Sequence, residues 1–259
     1  MMLLRNTIIM TGVFLTEMIQ DMITVPSVIR SVIICVAFLV FSLIFNIMIH
    51  EAGHLVLGLL SGYRFSSLEC FGILLVRTAG GLKLTFSKEP CAGQCIMYPD
   101  SVDSDGSLLI AGGVIAQCFA SVVSFCMLFA DPNPPAGLFF IIFGTVGTVT
   151  AITNSIPYNG TNDGSTFADA RKSCLHMEAY NKLMIIYREL NLGNEIGMID
   201  ERWFIHPEMP LSPISRELSL YRSMRVRGKY HGCFGEDDRS DNSGDSHDDP
   251  ASNMGTGDE

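Results

Sequence analysis

Long apolar blocks set off by polar connections outline this chain. Residues 32–60, 108–130 and 136–156 are almost continuously hydrophobic, and apart from His50, Glu51 and His54 they contain no charged side chain. Each has about the 20 helical residues needed to cross a hydrocarbon layer roughly 30 Å thick. The pattern predicts a mainly α, multi-pass membrane protein with a three-helix core.

The stretches between and around these blocks follow other periods. In residues 1–27 the apolar run is broken by Glu17 and Asp21, and Glu17, Gln20, Asp21 and Thr24 recur at helical spacing opposite Phe14, Leu15, Met18, Ile19 and Met22. That pattern predicts an amphipathic helix at an interface. Between the first two blocks, residues 68–77 and 82–87 are rich in β-formers and flank Ala79-Gly80-Gly81, which predicts a small β-hairpin. Its edge could pair with an extended substrate, or the hairpin could simply cover the neighbouring residues. Asp131-Pro132-Asn133-Pro134-Pro135 is a short rigid turn that makes the second and third helices antiparallel neighbours. Beyond Pro157 the chain turns polar, with helices predicted over residues 165–190 and 212–226. Four regions result: an interfacial segment (1–27), a membrane core (28–172), a cytosolic helical region (173–234) and a disordered acidic tail (235–259).

Charge sharpens this division. Of the formal −10 in 259 residues, nine acids from Glu236 to Glu259 set against Arg239 supply −8, leaving about −2 elsewhere. A tail of Asp, Ser, Gly and Asn cannot bury enough apolar surface to offset its ordering entropy. Arg64, Arg77, Lys83 and Lys88 lie between the first two blocks and Arg171 and Lys172 follow the third, whereas residues 131–135 contain no basic residue. The bias places the first loop and the carboxyl terminus in the cytosol, with Arg30 pulling the other way. Arg216, Arg222, Arg225, Arg227 and Lys229 could meet anionic head groups or line a solvated helix. The expected partners are a lipid bilayer and a membrane-anchored protein or peptide, not a nucleic acid, and a prokaryotic plasma membrane is the expected location.

Eight cysteines do not make a disulfide framework here. Cys35, Cys118 and Cys126 fall inside predicted spans and read as packing residues. Cys91 and Cys95 form a lone C-x-x-x-C pair and read as loop thiols.

The chemistry concentrates in His50-Glu51-Ala52-Gly53-His54, an H-E-x-x-H sequence at the end of the first block. On a helix the two imidazoles stand one turn apart, about 6 Å along the axis, so both can reach one cation with Glu51 beside it. Such groups are costly in hydrocarbon unless they serve a function. From Val32 to His50 a helix rises about 27 Å, which brings the site near the cytosolic edge of the bilayer. A catalytic zinc takes three protein ligands and keeps one position open. Asp163, which follows the third block and precedes a flexible Gly164, is the expected third ligand; the competing role for it is to cap a helix starting near Ser165. His176, His206, His231 and His247 read as surface residues. Glu51 is the expected general base and acid.

With these residues the chain resembles the site-2 proteases, a family of intramembrane zinc metalloproteases. His50-Glu51-Ala52-Gly53-His54 matches the family's first core helix, Ala111 to Gln117 its small-residue motif on the second, and Asn154-Ser155-Ile156-Pro157 with Asp163-Gly164 its N-x-x-P…D-G motif on the third. The resemblance covers residues 31–172, with no separate PDZ-like segment, as in the compact members. It implies one zinc ion held by His50, His54 and Asp163, water activated by Glu51, and Asn154 holding the reacting centre or its oxyanion. The Pro157-to-Asp163 spacing is one residue longer than usual, Asn162 replaces a hydrophobic residue, and Gln117 stands where an asparagine is expected, so Gln117 is given no catalytic role. Gly112 and Gly113 are assigned to close helix packing. Two functions are carried forward: an intramembrane zinc endopeptidase cutting near the cytosolic face, and a non-catalytic membrane scaffold or sequestering protein of the same fold. A small metal transporter is weaker, because Glu51 would have no task in it.

Overall fold

The computed structural model describes residues 25–130, 132–158, 162–205 and 212–227, so the interfacial segment up to residue 24 and the acidic tail lie outside the described residues. Helix α1 runs over Val25–Leu60, α2 over Ser107–Met127 and α3 over Pro134–Ser155, with a 3₁₀ turn at Leu128–Ala130. All three are long and apolar enough to cross a membrane. α1 begins before the apolar block does, and its 36 residues reach about 54 Å. Asn133 caps α3, its side chain accepting from the Ala136 amide, and the Pro-Pro pair after it occupies the helix start, where no amide is missed.

The three helices are turned inside out relative to a bundle in water. On α1, Ser42, Asn46, His50 and His54 form a stripe every fourth residue and are buried, while Val40, Phe41 and Phe45 face outward. On α2, Gln117, Ser121 and Ser124 are buried, and Ile115, Phe119 and Val122 are exposed. The same stripe decides the cysteines. Cys118 and Cys126 lie on the outer face of α2 and are exposed, contrary to the packing role expected of them. α1 and α2 touch through their backbones at Gly53 and Gly112, where a Cβ on either would collide with the other helix, as small-residue packing requires.

The connection between α1 and α2 holds four strands, where only one hairpin was expected. β1 (Arg64–Cys70), β2 (Ile73–Thr78), β3 (Gly81–Phe86) and β4 (Gly93–Tyr98) form an antiparallel sheet in the order β3-β2-β1-β4. The predicted hairpin is β2–β3, closing between Thr78 and Gly81. The stretch read as one strand over residues 68–77 is broken at Phe71-Gly72, both with positive φ (53° and 78°), the two-residue turn that matches strand twist. Among the described residues β4 pairs only with β1, which leaves its other edge without a strand. On β3, Leu82, Leu84 and Phe86 are exposed in a row, continued by Ile73 on β2.

The polar end of the chain folds back onto this sheet. The helix expected over residues 165–190 is two: α4 (Asp163–Ala170) and α5 (Cys174–Asn191). Ser173 takes an extended conformation between them and bonds the His176 imidazole at 2.8 Å. His176 is consequently buried, not on the surface, with its other nitrogen 4.0 Å from Asp169. α6 (Pro213–Arg227) matches its predicted span, and its Ile214 amide donates to Asp169. Arg225 in α6 donates to the Ile199 carbonyl and lies near Glu201, so it is not free for lipid head groups. Tyr63, Met97, Leu109 and Ile110 share one core with Ala179, Leu183, Ile186, Phe204 and Leu218, on both sides of residue 172. Fully buried Asn181 fixes α5 by donating to the Val102 and Ser104 carbonyls and accepting from Tyr63.

Candidate metal centre

The carboxyl-terminal parts of α1 and α3, the start of α4, strand β4 and the inner face of α5 line a cavity of about 420 Å³. His50, Glu51, His54, Asn154 and Asp163 all line it. The structure thus brings together every site residue read from the sequence.

Helix periodicity places the two histidines, and their partners fix their chemistry. His54 Nδ1 is 2.8 Å from the Leu109 carbonyl oxygen, which can only accept, so Nδ1 carries the proton. His50 Nδ1 is 3.0 Å from Gln117 Oε1. The Gln117 amide nitrogen donates to Thr150 Oγ1 at 2.9 Å and toward the Asn46 carbonyl at 3.4 Å, which sets its oxygen toward His50. Both neutral imidazoles therefore present the Nε2 lone pair to the cavity.

Asp163 comes from the first turn of α4. Asn162, not Asp163, is the helix cap: its Oδ1 accepts from the Ser165 amide at 3.1 Å, and its Nδ2 donates to the Thr153 and Ile156 carbonyls at 2.8 and 2.7 Å. This takes the capping role from Asp163 and ties α4 to the end of α3. Gly164 serves close approach and not a turn, since it lies inside α4 and a Cβ there would run into the Ser155 carbonyl. Asp163 Oδ2 then stands 2.8 Å from His50 Nε2 and 3.3 Å from His54 Nε2, and the two Nε2 atoms are 3.1 Å apart.

Three electron-rich atoms at these separations repel one another unless a positive charge lies among them. A metal with tetrahedral bonds of about 2.05 Å holds its ligands about 3.3 Å apart, so the spacing fits a cation bound by His50, His54 and Asp163. Asp163 Oδ2 is buried, with the two Nε2 atoms as its neighbours within 3.3 Å. The group can hold a metal ion.

Glu51 is buried and outside the ligand set, packed against the start of β4, where a Cβ on Gly93 would press on its carboxylate and on Ile47. Cys91 and Cys95 flank that point. Burial, with Glu69 and Glu51 nearby, pushes the Cys91 thiol up to about 11, and burial with Glu51 and Cys70 nearby pushes the Cys95 thiol up to about 12; neither sulfur belongs to the group of atoms that converges at His50, His54 and Asp163.

Gln117, Gly113, β4 and the inner face of α5 were not read from the sequence as parts of the site. Gly113 faces the His50 ring so closely that any Cβ would overlap it, a task distinct from helix packing. The buried stripe of Ser42, Asn46, His50 and His54 was a sequence signal that pointed to a polar partner on a neighbouring helix, and Gln117 is that partner. Replacing Gln117 by Leu, which keeps its bulk and removes the acceptor for His50, should weaken zinc binding about 10- to 100-fold in competition with a chromophoric chelator. Comparison of the chain with protein-family models, curated proteins and solved structures returns no match.

Proposed function

We propose that the protein is an intramembrane zinc endopeptidase that hydrolyses a peptide bond of a membrane-anchored protein or peptide near the cytosolic face. The observation that carries this reading is the convergence of two Nε2 lone pairs and one carboxylate oxygen within 3.3 Å, next to a buried glutamate. An N₂O donor set suits zinc. A zinc ion held there would lower the pKa of water to about 7 and polarise a carbonyl oxygen.

The chain's own residues account for the rest. Glu51 takes the proton as the water oxygen bonds to the scissile carbon, then gives it to the amine nitrogen as the C–N bond breaks. The open edge of β4, whose residues Gly93 to Ile96 line the cavity, can pair with a substrate in extended form. Extension is required, since an intact helix offers no accessible amide. Asn154 lines the same cavity, and in this reading it would hold the reacting carbonyl. The inverted burial of α1 and α2 and the apolar row on β3 support a membrane setting for this chemistry.

Metal exchange tests the reading. Purified protein should lose cleavage of a transmembrane reporter when treated with a zinc chelator and regain it with one equivalent of zinc, but not with magnesium, which favours oxygen ligands. Cleavage that survives complete zinc removal would refute it.

A further inference from the structure

Helix α5 roofs the cavity and turns Tyr180, Met184 and Tyr187 into it, residues spaced to share one helical face. Of the tyrosines in or beside this roof, two have hydroxyls committed elsewhere. Tyr63 donates to Asn181 at 2.7 Å, and Tyr187 donates to the Glu217 carboxylate. Tyr180 is only 9% exposed, yet its hydroxyl makes no hydrogen bond among the described residues. It lies close enough to Asp163 and Cys95 for their charges to act on it.

The hydroxyl keeps solvent access at the cavity, so it offers a donor to an incoming group, whereas phenylalanine would fill the same space without one. A donor without a protein partner, in the cavity that also holds His50, His54 and Asp163, can take its partner from the substrate. We propose that Tyr180 is a catalytic residue whose hydroxyl donates a hydrogen bond to the scissile carbonyl oxygen, strengthening as negative charge gathers there. The inference rests on the endopeptidase reading.

The step balances without proton transfer from Tyr180. The water oxygen bonds to the scissile carbon and the carbonyl π pair moves onto the carbonyl oxygen, which Tyr180 meets with its O–H. When the pair returns, the C–N bond breaks and the amine nitrogen takes its proton from Glu51. Burial pushes the Tyr180 phenol above its ordinary range, so it stays a donor throughout the working pH range. A donor aimed at the developing charge contributes to turnover and little to substrate affinity.

The test compares the native full chain with Tyr180→Phe, each loaded with zinc in detergent. Three quantities are read: reporter turnover, thermal midpoint, and affinity for the phosphinic analogue of an acetyl-Leu-Leu dipeptide, whose tetrahedral oxygens mimic the charged state. Tyr180→Phe should keep one zinc per chain, melt at or above the native temperature, lower kcat about 100-fold with KM within twofold, and bind the phosphinic probe about 100-fold more weakly. Native kcat and native probe affinity in Tyr180→Phe would overturn the assignment and leave the endopeptidase reading standing. A lower melting temperature with loss of zinc would also overturn it, in favour of a structural role. Absence of both cleavage and probe binding in the native protein would overturn the two together.

Discussion

Replacing Asp163 by Ala should strip the metal and end turnover in one step. Asp163 supplies the only anionic ligand among the three converging atoms, and it does so from α4, an element separate from the histidines. Without it, two neutral imidazoles one turn apart would hold the cation from a single helix. If a zinc site of about 12 kcal/mol is shared among three ligands, the loss is about 4 kcal/mol, or roughly a thousandfold in affinity. The α4 cap belongs to Asn162, so the helix should survive the change and the fall in affinity can be assigned to the ligand. Zinc content by mass spectrometry after equilibrium dialysis, at free zinc set between the two dissociation constants, should show about one ion per native chain and almost none in Asp163→Ala. Equal zinc content in both would remove Asp163 from the site.

Glu51→Gln should have the opposite profile, with turnover lost and zinc kept. The side chain lies outside the ligand set, buried against Gly93, so an amide of the same shape fits without disturbing His50 or His54. Gln can neither take the proton of water nor return one to the leaving amine. Each of those transfers is worth about 10² to 10⁴ in rate, and in the proposed mechanism the same carboxylate performs both, so a fall of at least about 10⁴ is expected. The two variants separate binding from chemistry: Asp163→Ala fails at the metal, Glu51→Gln after it.

What could be read from the sequence was what depends on local spacing. The apolar blocks marked α1, α2 and α3, and four residues between His50 and His54 placed both rings on one helix face. Asp163 was reachable because it stands just past the third block, where antiparallel helices bring the ends of α1 and α3 together. The β1–β2 turn was hidden because Phe71 adopts positive φ, a conformation with no sequence signal in a phenylalanine. The break between α4 and α5 depends on Ser173 and on Asp169 reaching α6, contacts no helical period reveals. Gln117 was passed over because it differs from the asparagine expected there, although the longer side chain reaches His50 Nδ1. Tyr180 lies beyond the stretch that resembles the site-2 proteases, and its role depends on the fold of α5 over the cavity. Burial of His176 arises in the same way, from tertiary packing that composition does not disclose.

The membrane reading accounts for a pattern that water would not. Exposed Val40, Phe41, Phe119 and Val122, set against buried Ser42, Asn46, Gln117 and Ser121, would be an inverted core in aqueous solvent. In lipid the outward apolar face needs no cover, and the polar stripe becomes the means by which α1, α2 and α3 bind one another and hold His50.

The most direct measurement is cleavage of a transmembrane reporter by the native protein and by Glu51→Gln, purified in the same detergent and matched for zinc. The account predicts one cut near the cytosolic end of the reporter by the native protein and no product from Glu51→Gln. Equal cleavage by both, or none by either at full zinc occupancy, would contradict it.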